Sequence, residues 1–227
     1  MIKLSSKIRN SIFYSILFIG LLGGCATVEN STESDPYESF NRSMYGFNKG
    51  VDAVLLKPLA KGYDAVIPDP AKQGISNFFS NLDDLPTAAN QLLQGKFANA
   101  YTDLWRFLIN STFGIAGFFD VATPMGLESH SEDFGQTLGT WGLDSGPYIV
   151  LPFLGPSTAR DIVSRPVDNL VSVQDQIEHI STRNTIHFMN LVDLRYRLLP
   201  LDAQLQDALD EYSFVRDASV SYTHLTL

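Results

Sequence analysis

Apolar and polar residues alternate along much of the chain with the spacing of an amphipathic helix. The first helix is predicted to begin at Asp35-Pro36, with Asp at the N-cap and Pro at the first helical position, and to end before Pro58. Its apolar positions are three or four residues apart and lie on one face: Phe40, Met44, Phe47, Val51 and Val54. Polar residues stand opposite: Asn41, Arg42, Asn48 and Lys49. This face either packs on a core or lies in the plane of a membrane interface.

The same signals predict further helices and very little β-structure. Asp69-Pro70 opens a second helix, and Asp84-Leu85-Pro86 opens a shorter third helix that Gly95 closes. The other predicted elements are a helix from Phe97 to about Gly114, a short helix over 132–141, an extended segment over 149–153, helical turns opened by Pro156 and Pro166, a longest helix over 177–199, and a last helix over 201–218 that groups Leu205, Leu209 and Tyr212.

The segment from Phe113 to Ala122 breaks this alternation. It reads FGIAGFFDVA, with two glycines and with Asp120 as its only charged residue. Ten residues are too few to cross a bilayer as a helix. The segment either forms a hairpin buried in the core, which composition alone favours, or dips into one membrane leaflet.

The N-terminus has the pattern of a lipoprotein signal peptide over residues 1–24. Three basic residues precede an apolar run over 12–22, which is too short to span a bilayer. Leu22-Gly23-Gly24-Cys25 resembles a lipobox, in which the cysteine thiol receives a diacylglyceryl group. Cys25 is the only cysteine, so we predict that it is lipidated and that residues 25–34 form a tether. Ala26 favours sorting to the outer membrane.

The charge balance excludes some partners. The whole chain carries a formal charge of −9, and the predicted signal peptide contains three basic and no acidic residues. The remaining 203 residues then hold 13 Lys and Arg against 25 Asp and Glu, a net charge of −12. Nucleic acid is therefore not an expected partner, and a polybasic membrane-binding patch is not expected either.

Motifs for catalysis or metal binding are missing from the sequence. It contains no phosphate-binding loop, no nucleophile elbow and no zinc-protease signature. His130 lies near Glu132 and Asp133, but a solvated turn explains that cluster better than a metal site, and helix capping explains Asp83-Asp84 better than a catalytic pair. We therefore expect no enzyme activity and no cofactor other than covalent lipid on Cys25.

Several blocks, in order, resemble the MlaA/VacJ lipoproteins of the outer-membrane lipid-asymmetry system. The blocks are DPYESFNR from Asp35, GISNF from Gly74, NQLLQG from Asn90, RFLINS from Arg106, GFFDVA from Gly117, FGQTLG from Phe134, GPYIVLP from Gly146 and Arg160-Asp161. They cover residues 35–218. Residues 219–227 depart from the family pattern, so we separate them as an atypical tail.

This resemblance implies a mainly α, ring-like helical domain with an amphipathic channel. It also implies that phospholipids misplaced in the outer leaflet pass through the protein to a soluble periplasmic carrier, that a trimeric porin is a partner, and that the protein lies at the periplasmic face of the outer-membrane bilayer. An alternative is a structural lipoprotein that binds porins or envelope proteins without carrying lipid.

These expectations suggest which residues face the membrane or the channel. We predict that aromatic and aliphatic residues of the apolar segment line or gate the membrane side and that two glycines let the segment bend: Phe113, Ile115, Phe118 and Phe119, with Gly114 and Gly117. The stripe of Phe40, Met44 and Phe47 is a second candidate.

Overall fold

A computed structural model describes residues 35–225 of the chain. This part is mainly helical, as predicted. The elements are α1 Glu38–Val51, a π-helical turn Asp52–Leu56, α2 Lys57–Val66, α3 Asp69–Leu93, α4 Phe97–Thr112, a 3₁₀ turn Thr123–Met125, α5 Phe134–Thr140, β1 Tyr148–Leu151, β2 Gly155–Thr158, α6 Ala159–Val171, α7 Ile180–Leu198, α8 Leu201–Asp207 and α9 Glu211–Leu225.

The two strands form a small antiparallel sheet in which Tyr148 pairs with Thr158 and Leu151 with Gly155. The extended segment predicted near 149–153 is thereby confirmed. Pro156 lies in β2, so the prediction that it opens a helical turn is wrong.

Three prolines that were predicted to begin or end a helix lie within continuous helical structure. Helical structure continues past Pro58, because a π-turn in which the Lys57 N–H bonds the Asp52 carbonyl joins α1 to α2. Pro86 and Pro166 lie inside α3 and α6, so α3 is one helix of 25 residues and is longer than α7, the 19-residue counterpart of the helix we predicted to be longest. A proline removes one N–H from the ladder, and packing against neighbouring elements outweighs that loss here.

Two helix starts also differ from the prediction. Asp35 is fully buried and does not cap α1; its carboxylate accepts hydrogen bonds from Asn41 and from the hydroxyl of Tyr212. The predicted last helix is divided into α8 and α9, because the carboxylate of Asp210 accepts from the Tyr212 N–H at 3.1 Å and begins a new helix. Leu209 is consequently exposed in the junction and does not pack beside Tyr212.

Contacts between elements form a closed circuit. Helix α2 packs on α7, α7 on α3, α3 on α5, α5 on α6, α6 on β2, β2 on β1, and β1 on α1, which continues into α2. Helix α4 lies against α3, and α9 lies against β2. This order of contacts is the one that a ring-like helical domain requires.

The apolar core is small and lies where the sheet meets α1 and α9. Tyr148, Val150 and Tyr212 are buried there, with Met44 and Tyr45 packed against them. Elsewhere the buried side chains are mostly polar: among the described residues 19 buried residues are polar or charged and nine are apolar, whereas 33 large apolar side chains are exposed. A water-soluble domain has the reverse distribution.

Candidate functional site: an apolar hairpin on a polar helix pair

Helix α4 shows the inverted distribution most clearly. Its buried polar residues, Asp103, Arg106 and Asn110, are spaced by three and four positions and form one stripe facing the protein. Its apolar stripe is exposed and comprises Phe97, Tyr101, Trp105 and Leu108. The predicted helix is confirmed, but its apolar face points away from the fold.

The polar stripe of α4 holds the segment that follows the helix. The Asn110 side-chain oxygen accepts from the N–H groups of Val121 and Ala122 at 2.8 and 3.0 Å. Arg106 donates from Nη1 to the hydroxyl of Thr123 at 2.9 Å and to the carbonyl of Leu127. These bonds satisfy backbone groups that have no helix or sheet partner, which explains why polar side chains are buried here.

Farther along the stripe, the buried carboxylate of Asp103 lies 3.1 Å from Nδ1 of His130. The described residues contain no group of three or more His, Cys, Asp or Glu arranged to hold a metal ion.

Asp84 lies on the facing side of α3, inside the helix and not at a helix start, so the capping explanation for Asp83-Asp84 is wrong. It is almost fully buried, and its carboxylate is 3.6 Å from Nε of Arg106. Burial raises the pKa of Asp84 to about 7, and the positive charge of Arg106 only partly opposes that rise. The carboxyl group of Asp84 therefore titrates near neutral pH.

The segment 113–119 forms a tight hairpin whose apolar side chains are exposed. Phe113, Ile115, Phe118 and Phe119 have 74, 67, 43 and 61% of their surface exposed, so the buried-core alternative is wrong. The described residues include no helix long and apolar enough to cross a membrane. The role of this hairpin in lining or gating stays a prediction.

The hairpin has glycines at two positions where a Cβ would overlap a nearby atom. A Cβ on Gly114 would lie 2.1 Å from the carbonyl oxygen of Phe119, and a Cβ on Gly117, which has φ +92°, would lie 2.6 Å from the side chain of Asn81. The left-handed bend also includes Ile115 and Ala116, with φ of 53° and 55°. Gly114 therefore serves close packing, and Gly117 serves both packing and backbone geometry.

Helix α3 holds the other side of the hairpin. The side-chain amide of Asn77 donates to the carbonyl of Phe118 at 3.1 Å, and the Phe118 ring lies 5.5 Å from the ring of Phe78. Gly74 leaves room for the same ring, since a Cβ there would lie 3.0 Å from it. The hairpin is thus fixed at its base while its aromatic side chains remain outside.

The predicted stripe on α1 is divided between two environments. Met44 packs against the core and Phe40 is half-buried, whereas Phe47 is exposed and meets Phe153 edge-to-face at 5.1 Å. The opposite face is only partly solvated: Arg42 and Lys49 are exposed, whereas Asn41 and Asn48 are not. Buried Asn41 accepts from the Val150 N–H at 2.8 Å, and Asn48 accepts from the Phe153 N–H at 2.7 Å. The simple alternatives of a core face and an in-plane face are therefore both incomplete.

Cys25 lies outside the described residues, as do the remaining positions of 1–34. Helix α9 continues through residues 219–225, which we had separated as part of the tail. Sequence reasoning missed the buried polar residues of α3 and α4. The only available signal was the helical spacing of Asp103, Arg106 and Asn110.

Comparison with known proteins agrees with this architecture. The pattern of the family described as "MlaA lipoprotein" matches residues 33–225. An uncharacterized protein of Rickettsia felis is 38% identical over 186 residues, covering 81% of this chain and 74% of the relative. The Escherichia coli K12 protein named "Intermembrane phospholipid transport system lipoprotein MlaA" is 35% identical over 206 residues, covering 87% and 81%.

A solved structure from work on maintenance of bacterial outer membrane lipid asymmetry superposes with a TM-score of 0.76 at 32% identity. That match covers 86% of this chain and 99% of the solved one. Sequence and fold thus agree over most of the described residues, and the chain belongs to the MlaA lipoprotein family.

Proposed function

We propose that this protein removes phospholipids misplaced in the outer leaflet of the outer membrane, moves them through an amphipathic channel and passes them to a soluble periplasmic carrier. It would be anchored through lipid on Cys25 and would face the periplasm. The observation that carries this proposal is the inverted distribution of side chains, with apolar residues outside and polar residues inside.

An apolar exterior is stable when the surroundings are hydrocarbon. The outer stripe of α4 and the hairpin 113–119 together expose aromatic rings that a leaflet would cover. Tyr101 and Trp105 carry polar groups suited to the headgroup boundary of that leaflet. Covalent acyl chains on Cys25, at about 0.8 kcal/mol per buried CH₂, would keep the domain against the bilayer.

A polar interior suits the other half of a phospholipid. A headgroup that enters hydrocarbon unaided loses its hydration, and side chains along a passage can replace those hydrogen bonds. Exposing both acyl chains to water would cost about 25 kcal/mol for roughly 30 methylenes. The lipid must therefore go directly from this protein to another apolar cavity, which is why we propose a carrier that docks against it.

The protein would perform this transfer without catalysing a reaction and without a cofactor. We keep a trimeric porin as a proposed partner that would hold the ring at the outer leaflet, and we propose no nucleic-acid partner. Any energy input would come from outside this chain, because the sequence contains no nucleotide-binding motif.

The test is to purify the full-length lipoprotein in mild detergent and identify bound lipids by mass spectrometry. Wild type should carry phospholipid and restore detergent resistance to a strain that lacks its own MlaA lipoprotein. Cys25→Ala should lose palmitate labelling and membrane retention. A wild-type protein that restores resistance but binds no phospholipid would instead support the scaffold alternative.

A further inference from the structure

A polar cavity of about 610 Å³ lies between α2, α3 and α7, and no residue of α4 or of the hairpin 113–119 lines it. Its volume is in the range of small-molecule sites. Its walls include hydroxyl and amide groups from α3 together with charged and aromatic groups from α7 and the α2–α3 region: Lys72, Ser76, Asn77, Ser80, Tyr196 and Arg197.

One of the lining residues, Arg197, has donors that no described residue uses. Asp193 is fully buried and accepts hydrogen bonds from the Ser76 hydroxyl at 2.8 Å and from the Tyr63 hydroxyl at 3.3 Å. The same carboxylate lies 3.2 Å from Nε of Arg197. Burial raises the pKa of Asp83, and the positive charge of Arg197 partly opposes that rise, so a second carboxyl group also lies near this guanidinium. Within the described residues, Nη1 and Nη2 of Arg197 form no hydrogen bond, so they are available to donate to an oxyanion.

A second group of lining residues has excess negative charge. The Lys72 ammonium lies 2.6 Å from Asp64 and 2.8 Å from Asp69, and it is 4.9 Å from the centre of the Tyr196 ring. One lysine between two carboxylates leaves a net charge of −1. Both carboxylates are open to solvent, with side chains 49 and 93% exposed, so a cationic group can approach them.

We propose that this cavity binds a zwitterionic phosphoethanolamine headgroup, with its phosphate on Arg197 and its ammonium against Asp64 and Asp69. This inference rests on the proposed function and adds a headgroup class to it. An anionic headgroup such as phosphatidylglycerol would place its phosphate on the same arginine but has no cation for the two carboxylates.

The cavity also adjoins the apolar hairpin. Asn77 lines the cavity and donates to the carbonyl of Phe118, so a headgroup held there has the exposed rings of the hairpin beside it for its acyl chains. A phospholipid could therefore keep its polar and apolar parts in matching surroundings at one place on the protein.

The test measures lipid selectivity in purified full-length protein. Wild type is equilibrated with mixed micelles holding equal amounts of phosphatidylethanolamine and phosphatidylglycerol, and the bound ratio is measured by mass spectrometry. In the double variant Asp64→Asn/Asp69→Asn, the bound ratio should shift towards phosphatidylglycerol on the order of tenfold, because the ammonium loses its partners and Lys72 becomes free for phosphate.

Arg197→Gln should reduce binding of both lipids roughly fivefold, and Arg183→Gln, on the same helix and outside the cavity, is the matched control. An unchanged lipid ratio in the double variant, or equal binding by the two arginine variants, overturns the headgroup site while leaving lipid transport intact. Failure of wild type to bind any phospholipid overturns the proposed function as well.

A third arm uses soluble glycerophosphoethanolamine, which carries the headgroup without acyl chains. We expect it to compete only weakly with phosphatidylethanolamine. Equally tight binding of this soluble compound would assign the cavity to a free phosphodiester and would overturn the lipid assignment.

Discussion

Replacing Gly117 with alanine tests whether the hairpin is held by close packing on α3. Gly117 has φ +92°, and an added Cβ would lie 2.6, 2.7 and 2.8 Å from Cβ, Nδ2 and Cγ of Asn81. Asn81 cannot move away easily, since it is buried and its amide donates to the Ser111 hydroxyl at 2.9 Å. The left-handed backbone costs about 1–2 kcal/mol and the steric overlap about 1–3 kcal/mol.

Gly95→Ala separates these two contributions. Gly95 also has a left-handed backbone, with φ +77°, but nothing lies within 4 Å of the position that a Cβ would take there. The backbone penalty and the effect of alanine on the unfolded chain are therefore similar in both variants. Gly117→Ala should therefore have a free energy of unfolding about 2 kcal/mol lower than that of Gly95→Ala, which corresponds to roughly 6 °C in melting temperature for a domain of this size.

Thermal unfolding in a mild detergent measures the difference, and hydrogen exchange locates it. The amides of Gly117 and Phe119, which bond the carbonyls of Asn110 and Gly114, should exchange faster in Gly117→Ala and at the wild-type rate in Gly95→Ala. If the two variants melt together and exchange alike, contact with Asn81 does not hold the hairpin and our account of Gly117 is wrong.

Three further substitutions probe the membrane face, the buried charge and the core. Phe118→Asp should impair lipid retrieval while lowering stability no more than Phe214→Asp, an equally exposed site on α9; normal outer-leaflet lipid levels and detergent resistance would refute the membrane role. Asp84 has a folded pKa of about 7, above its unfolded value near 4, so its contribution to stability is lost as pH rises through that interval. Between pH 5 and 8 the free energy of unfolding of the wild type should therefore fall by roughly 2 kcal/mol more than that of Asp84→Asn. Denaturant titrations at several pH values measure this, and an equal fall in both proteins counts against the shifted pKa. Asn41→Ala should reduce the free energy of unfolding by about 2–4 kcal/mol, because the Val150 N–H and the Tyr148 carbonyl lose their partner; a urea midpoint like that of wild type would show that these groups find other partners.

The sequence predicted which segments are helical better than it predicted where the helices end. Helical periodicity identified α1 and α4 because each has a regular apolar stripe. Pro58 was a misleading end signal and Pro86 a misleading start signal, since a π-turn and tertiary packing allow helical structure to continue past them. The break before α9 had a readable signal in Asp210, a residue type that favours the N-cap.

The orientation of the helices was much harder to predict than their existence. In α4 both stripes have helical spacing, so periodicity cannot show which one faces the protein. The choice depends on what lies outside the protein, and in the sequence the predicted lipobox at Cys25, not the helix itself, bears on that question. The packing of Gly117 depends on Asn81 of α3, which lies 36 residues earlier in the chain, and no local pattern could supply it.

The buried polar stripe and the exposed apolar stripe of α4 have one physical explanation. Asp103, Arg106 and Asn110 are stable inside because they bond a segment that has no regular secondary structure, including backbone groups of Val121, Ala122 and Leu127. With that face occupied, the apolar stripe can only point outward. In water it would favour aggregation, whereas in a leaflet it is covered. The bonds that fix the loop after α4 therefore also leave the apolar stripe on the outside, where we propose that lipid covers it.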